Sequence, residues 1–495
     1  MHNTRTKRQQ IAIRSFTYGM MTLAAIVGVV VCLMLAMGYR FNFTDGKLTQ
    51  VALIQFKSFP SSATVDVNGK TLSSRTSTRY NAQSVENLIN ITKDGYRGWS
   101  KTVNLEPSEV LWLDYIRLIP NNIETNSVKT FSSAQEMLGS PDRKRILIRT
   151  SDSDRQVTNC PSDVTCDRSY EGYFDAPYIL QLADVSDPGN VKFSDISINS
   201  DQITIPTAAD SEKFSIVEWD DNSRYILLEH KVNDTAEYLV IDSQTLSAEK
   251  NLNKDFGMSI TAPHFSGTSG GVFFAKTETD LRKFDYSGKT VSAPLVSNLV
   301  SYRMYDNEKL SFVTSRTAND KTTTEVGIYD SGTVEVLKTF DDASSILAGV
   351  SSYNGTDYLT IISDQTATIY SLPLDQREPK TYGFSVSVAN WLDFSPDGRY
   401  VLTGGDGQLA SYDLDTNKQY SFDVEGLSSA PQWLDDSHIV DNSDGIKFVE
   451  FDGSNRQSIV NGSGYVMLSS NEKYVFSLGE VSGGVALQRS KLVID

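Results

Sequence analysis

The chain has 495 residues with 62 acidic against 45 basic side chains, a net charge of −17. That length exceeds what one hydrophobic core fills, so several domains or one repeat array are expected. The excess of acid repels nucleic acid and other polyanions, and no nucleic-acid partner is expected.

Residues 15–39 hold no charged side chain. As a helix rising about 1.5 Å per residue they span about 37 Å, enough for a hydrocarbon core of about 30 Å. Arg5, Lys7, Arg8 and Arg14 precede the stretch without an acid among them, and the first carboxylate after it is Asp45. This asymmetry predicts a cytoplasmic basic tail over 1–14, a single transmembrane helix over 15–39 and an extracytoplasmic body. A cleaved signal peptide has an apolar region of about 7–15 residues, so a retained anchor is expected despite the small-residue motif Ala36-Met37-Gly38. Val29-Val30-Val31 before Cys32 argues against lipid attachment there.

A turn-bearing linker over 40–50 leads to Val51-Ala52-Leu53-Ile54-Gln55-Phe56, an apolar strand that ends at Pro60. Ala63-Thr64-Val65-Asp66-Val67 alternates apolar and polar, and Asn68-Gly69 follows, the dipeptide suited to a tight hairpin. Leu88-Ile89-Asn90-Ile91 and the stretch from Trp99 to Leu105 complete four or five short strands over 51–120. They predict a small antiparallel β-sandwich with Tyr96 or Trp99 in its core.

The hairpin Val65-Asp66-Val67-Asn68-Gly69 and the strand Ile89-Asn90-Ile91-Thr92-Lys93-Asp94-Gly95-Tyr96 resemble a PEGA domain, a bacterial surface module. Its opening turn is replaced here by Pro60-Ser61-Ser62-Ala63, without the family's Glu and Gly, and Arg75-Thr76-Ser77-Thr78 stands where Thr-Pro is usual. The resemblance implies a non-catalytic extracytoplasmic module and names no ligand.

Beyond residue 121 the sequence repeats loosely. Its clearest unit is Trp391-Leu392-Asp393-Phe394-Ser395-Pro396-Asp397-Gly398-Arg399-Tyr400, followed by a strand ending at Tyr412-Asp413. Related turns begin near Gly139, Trp219, Tyr305, Trp433 and Ser469, with weaker copies at His264 and Ser352. Their spacing is mostly about 35–48 residues, the period of four-strand propeller blades. Eight copies predict a β-propeller of eight blades over 121–495, with seven as the alternative because two copies are weak. Residues near Ile123–Phe131 are expected to supply the last blade's fourth strand, which hides the edge strands. The pattern resembles WD40-like and TolB-like propellers, and only architecture is carried over from them.

The double-length first interval holds Cys160 and Cys166, which are expected to close a disulfide in a polar loop. Gly267-Thr268-Ser269-Gly270-Gly271 satisfies a hydrolase elbow pattern, but a strand follows it and it falls at a repeat turn. His230, His264 and His438 stand far apart with no zinc-binding spacing. Asp413-Leu414-Asp415-Thr416-Asn417-Lys418 reads as a connecting turn; it lacks the glycine of a calcium loop. Asn90-Ile91-Thr92 and Asn461-Gly462-Ser463 match a glycosylation pattern that occurs often by chance. Trp219, Trp391 and Trp433 are expected at equivalent strand positions, packing blade against blade.

No catalytic residue, metal ligand or cofactor is expected. The sequence predicts a membrane-anchored binding or scaffold protein of the bacterial envelope, with an envelope protein or a surface polysaccharide as partner. The alternative is a glycan-active enzyme with its site in the propeller funnel.

Overall fold

Between Arg14 and Met34 the chain has neither proline nor a charge after its first residue. In hydrocarbon such a segment satisfies its backbone groups internally only as a helix. The computed structural model describes residues 7–36, 39–42, 47–83, 85–150, 178–198, 200–205, 212–267, 270–342, 345–373, 381–424, 430–442, 445–460 and 464–494. The helix runs over Lys7–Ala36. Its stretch Arg14–Met34 has a mean hydropathy of 2.1, is long enough to cross a membrane, and buries nothing against the rest of the chain. Two compact units divide the chain, Met1–Asn122 and Ile123–Asp495.

In the first unit, Tyr39–Asn42 and Lys47–Gln50 pair as a hairpin after the helix. A β-sandwich follows. One sheet orders Thr78–Ala82, Ala52–Phe59 and Val110–Arg117; the other orders Lys70–Thr71, Thr64–Val67, Glu86–Thr92 and Trp99–Asn104. Asn68 and Gly69 take φ of 55° and 79°, the double left-handed turn that matches strand twist. Ile54, Phe56, Val65, Ile89 and Ile91 fill the core, and both Tyr96 and Trp99 join it.

The antiparallel expectation fails at one place. Val110–Arg117 lies parallel to Ala52–Phe59, with Leu53 opposite Val110 and Gln55 opposite Trp112. The chain comes to it from Trp99–Asn104 in the other sheet, through a loop at Glu106–Glu109 in which Ser108 has φ 71°. A connection between sheets is free to deliver a strand in either direction.

Among the described residues the second unit carries eight blades. Blades 1 and 2 start at Ala134 and Glu212, and a parallel bridge between Ser197 and Ser247 joins them into one eight-stranded sheet. Blades 3 to 6 are four-stranded and start at Thr261, Leu299, Leu347 and Trp391. The weak copies at His264 and Ser352 thus belong to complete blades. Blade 7 has three strands from His438 to Val460, and its innermost strand is reduced to a bridge between Trp433 and Ile439. Blade 8 holds Val466–Leu468, Tyr474–Val481 and Gly484–Lys491, and Thr125–Phe131 completes it from the far end of the unit.

Apolar seams carry the ring round. Leu147 and Leu180 meet Leu228 and Leu239 between blades 1 and 2. Val240 meets Phe273 and Phe284 between blades 2 and 3, and Phe274 meets Phe312 between 3 and 4. The sequence continues through Val313 against Leu359, Ile369 against Tyr412, and Leu402 against Val449. Gln432 bonds Val466 between blades 7 and 8. Met467, Phe476 and Leu487 return to Met137, Ile146 and Ile148 of blade 1, which closes the circle.

The repeat turn is held by its own side chains. Ser140, Ser395 and Ser469 donate to Asp142, Asp397 and Asn471 at 2.6, 2.6 and 2.8 Å. The same hydroxyls accept the backbone N–H of Arg145, Tyr400 and Tyr474. In blade 2 Asp220 does this work alone, accepting from Arg224 and Tyr225 at 2.6 and 2.7 Å. Gly398 has φ 76°, and a Cβ there would stand 2.2 Å from the Ser352 carbonyl oxygen of the preceding blade.

Candidate functional site

The innermost strands of a propeller wall its channel, where alternate side chains face inward. Several polar groups there are engaged with neighbouring blades. Glu136 of blade 1 accepts the backbone N–H of Ile216 in blade 2 at 3.3 Å and pairs with Arg149 at 3.2 Å. Glu218 of blade 2 accepts the N–H of Phe265 in blade 3 at 2.6 Å and pairs with His264 Nδ1 at 2.8 Å. Gln432 takes the N–H of Val466 at 2.9 Å. Arg303 of blade 4 passes blade 5 altogether: it donates to the Leu392 carbonyl of blade 6 at 2.8 Å, pairs with Asp393, and lies 5.0 Å over the Phe394 ring.

Tyr302 stands edge-on to His264 at 5.4 Å, with its hydroxyl 2.5 and 2.9 Å from the carbonyl oxygens of Ala262 and Phe274. Burial, with Glu218 nearby, drives its phenol well above the ordinary range. Glu218, His264 and Tyr302 therefore form a carboxylate–imidazole–phenol row across three blades.

A second polar cluster lies inside blade 2. His230 and Glu237 are 0% and 1% exposed, and His230 Nδ1 is 2.8 Å from Glu237 Oε1. Glu237 also accepts from the Thr204 backbone and hydroxyl and from Asn251 Nδ2 at 2.6 Å. Burial alone would raise this carboxyl; the bonds from His230, Thr204 and Asn251 outweigh it and hold the pKa at about 2. Phe214 stacks on the imidazole at 4.5 Å.

The third strands that end in acids acquire a role. Arg399 grips Asp413 through two bonds of 2.9 and 2.8 Å, and Arg224 grips Asp242 in the same register. Burial would lower the Arg399 pKa, but Asp413 raises it above its ordinary value. Asp413 also accepts from the Asp415 N–H and the Thr416 hydroxyl, so the Asp413–Lys418 segment is the connecting turn expected of it.

Of the other residues singled out in the sequence, Cys160, Cys166, Ser269 and Asn461 lie outside the described residues. Gly267 is left-handed and Val272–Thr277 is a strand, so no helix follows the elbow-like motif. The three outer histidines stay apart: His230 pairs with Glu237, His264 with Glu218 and His438 with Asp435. No group of three or more His, Cys, Asp or Glu side chains is placed to hold a metal among the described residues. Asn90 accepts a bond from Ser100 in the sandwich.

The tryptophans need a correction. Trp219 and Trp433 pair with Ile226 and Ile439 beside the repeat turn and are equivalent. Trp391 is not; it begins its strand opposite Gly404, at the far end from the turn. All three nevertheless pack between blades.

The sequence left the channel row and the Glu237 cluster unread. For the cluster the signal was a polar residue at a buried position of a largely apolar strand, His230 in Tyr225–Val232 and Glu237 in Thr235–Asp242. A recess of about 600 Å³ also opens where blade 8 meets blade 1, lined by Gln135, Glu136, Met137, Tyr465, Leu478 and Glu480. That volume suits a small ligand or a protruding side chain.

Residues 52–118 match the PEGA domain. No curated protein matches the chain. Among solved structures, the Dos1 propeller is similar at 10% identity and TM-score 0.37, covering 74% of this chain and 95% of that one. Hsv2 of Kluyveromyces lactis gives 10% and 0.36, with 73% and 99% covered. Dipeptidyl peptidase 4 of Porphyromonas gingivalis gives 11% and 0.43, with 72% and 57% covered. The chain combines a helix long enough for a membrane, a PEGA domain over residues 52–118 and, by its own sheet order, a β-propeller.

Proposed function

We propose that this is a single-pass envelope protein of a bacterium, with its N-terminus in the cytoplasm and its PEGA domain and propeller outside. The propeller serves as a rigid binding head, either a scaffold for another envelope protein or a receptor for a surface polysaccharide. The orientation rests on Arg5, Lys7, Arg8 and Arg14 ahead of the apolar stretch. The observation that carries the binding reading is the use made of the channel's polar groups. Glu136, Glu218 and Gln432 each hold a backbone N–H of the next blade, and Arg303 bolts blade 4 to blade 6. Groups fixed in that way stiffen a platform, and rigid platforms present their loops and recesses for recognition.

The alternative, a glycan-active enzyme, is favoured by one observation, the Glu218–His264 pair on the channel wall. Cross-linking in intact cells with a tagged full-length copy separates the two. Recovery of one envelope protein in stoichiometric amount supports the scaffold. Recovery of glycan alone, with turnover of that glycan lost in E218Q, supports the enzyme and overturns the binding reading.

A further inference from the structure

The sandwich turns one mixed face outward. On the strand Ala52–Phe59, Ala52, Ile54 and Phe56 point into the core, so Leu53, Gln55 and Lys57 point out. The parallel partner adds Val110 and Trp112, each 48% exposed although large and apolar. On the other side Arg79 stands opposite Gln55 and Asn81 opposite Leu53, both exposed. The face is therefore an apolar strip of Leu53, Val110 and Trp112 with Lys57 and Arg79 beside it; Asp114 lies beyond Trp112 at its far end.

The tether to the helix is short. Two residues lie between Ala36 and Tyr39, so three Cα–Cα steps, at most about 11 Å of chain, join them. Tyr39 pairs with Gln50, which brings the chain back to within about 5 Å. Leu53 is three residues further, another 11 Å or so at most. A domain of about 70 residues is roughly 28 Å across, so the tether is no longer than the domain is wide. Gln50 Nε2 moreover bonds Ser108 Oγ at 2.5 Å, and Leu53 N–H bonds the Glu109 carbonyl at 2.8 Å. The start of the Val110 strand is thus fastened to the tether's end.

We propose that this face lies on the lipid surface beside the anchor, with Trp112, Val110 and Leu53 in the interfacial zone and Lys57 and Arg79 on headgroup phosphates. Tryptophan is the side chain most at home at that depth, because its indole has an apolar body and a polar N–H. Cations flanking an apolar strip add attraction to anionic lipid. The inference rests on the reading of Arg14–Met34 as a retained membrane anchor.

The test uses the full chain in vesicles of phosphatidylcholine with phosphatidylglycerol, in a C32S, C160S, C166S background. Nitroxide labels are placed one at a time through T22C in the helix, V110C on the face and V334C on a propeller strand. Collision with a water-soluble nickel complex is then read by spin resonance. T22C shielded shows the anchor inserted; T22C open to nickel overturns the anchor and this inference with it. With T22C shielded, the expected result is several-fold less collision at V110C than at V334C, restored toward V334C by adding W112S. V110C as open as V334C overturns lipid docking and leaves the anchor standing. Shielding at V110C that vanishes in nanodiscs holding one copy assigns the face to a second copy of the chain and overturns it as well.

Discussion

Blade 2 and the seam between blades 6 and 7 solve one packing problem with opposite chemistry. Blade 2 buries a charged residue and surrounds it: Glu237 receives bonds from His230, Thr204 and Asn251 and has no exposed surface to speak of. The other seam is aromatic. Tyr400 stacks on Phe451 at 4.0 Å and on Trp433 at 6.3 Å, while Trp391 and Phe422 pack alongside. Among the described residues, neither Trp391 Nε1 nor Trp433 Nε1 finds an acceptor. The difference teaches where each region is vulnerable. A buried network depends on every member, whereas an aromatic seam depends on area and tolerates an unmet donor.

The largest expected effect follows from breaking the network. Glu237→Ala removes the carboxylate that His230, Thr204 and Asn251 share, and should cost about 3–5 kcal/mol in urea unfolding of the propeller. Acid should do the same reversibly. The folded pKa of Glu237 is depressed to about 2 from 4.5. Its stabilisation is therefore full above about pH 4.5 and lost as pH falls toward 2. The stability gap between the native chain and E237Q should narrow over that interval, and a gap constant from pH 6 to pH 3 would contradict the assignment.

The arginine–aspartate grip that recurs in blades 2 and 6 comes next. Arg399→Ala leaves the buried Asp413 carboxylate unpaired and should cost about 3 kcal/mol. Arg224→Ala should cost less, since Arg224 is 40% exposed and water replaces it. The smallest effect sharpens the contrast most. Trp219 and Trp433 are equivalent, but Trp219 Nε1 donates to the Leu138 carbonyl at 3.3 Å. Both Trp→Phe changes remove similar area, so W219F should cost about 1 kcal/mol more than W433F in the same melts.

Much of this architecture was legible because it repeats. Ser395-Pro396-Asp397-Gly398 announces its turn through residue types that the backbone requires, and even the strand near Ile123–Phe131 that completes the last blade followed from a blade left short. Val65-Asp66-Val67-Asn68-Gly69 likewise carried its hairpin on its face. What escaped was non-local. The parallel strand Val110–Arg117 depends on a crossing between sheets that no periodicity encodes. Trp391 stands four residues before Ser395 of its turn and Trp219 one residue before Asp220, so Phe394, not Trp391, occupies the place of Trp219. The reach of Arg303 to Asp393 needs two blades that are 90 residues apart to face each other.

The pairing of Thr125 with Ser490 joins residues 365 positions apart. At roughly 5–20 residues per second of synthesis, the strand that completes the ring waits tens of seconds for its partner to exist. Until then seven blades' worth of chain carries an open seam, with Met137, Ile146 and Ile148 uncovered. Assembly of the head thus waits until the last blade has been made. The same arrangement places both ends of the ring in one sheet, tied there by six facing pairs of residues.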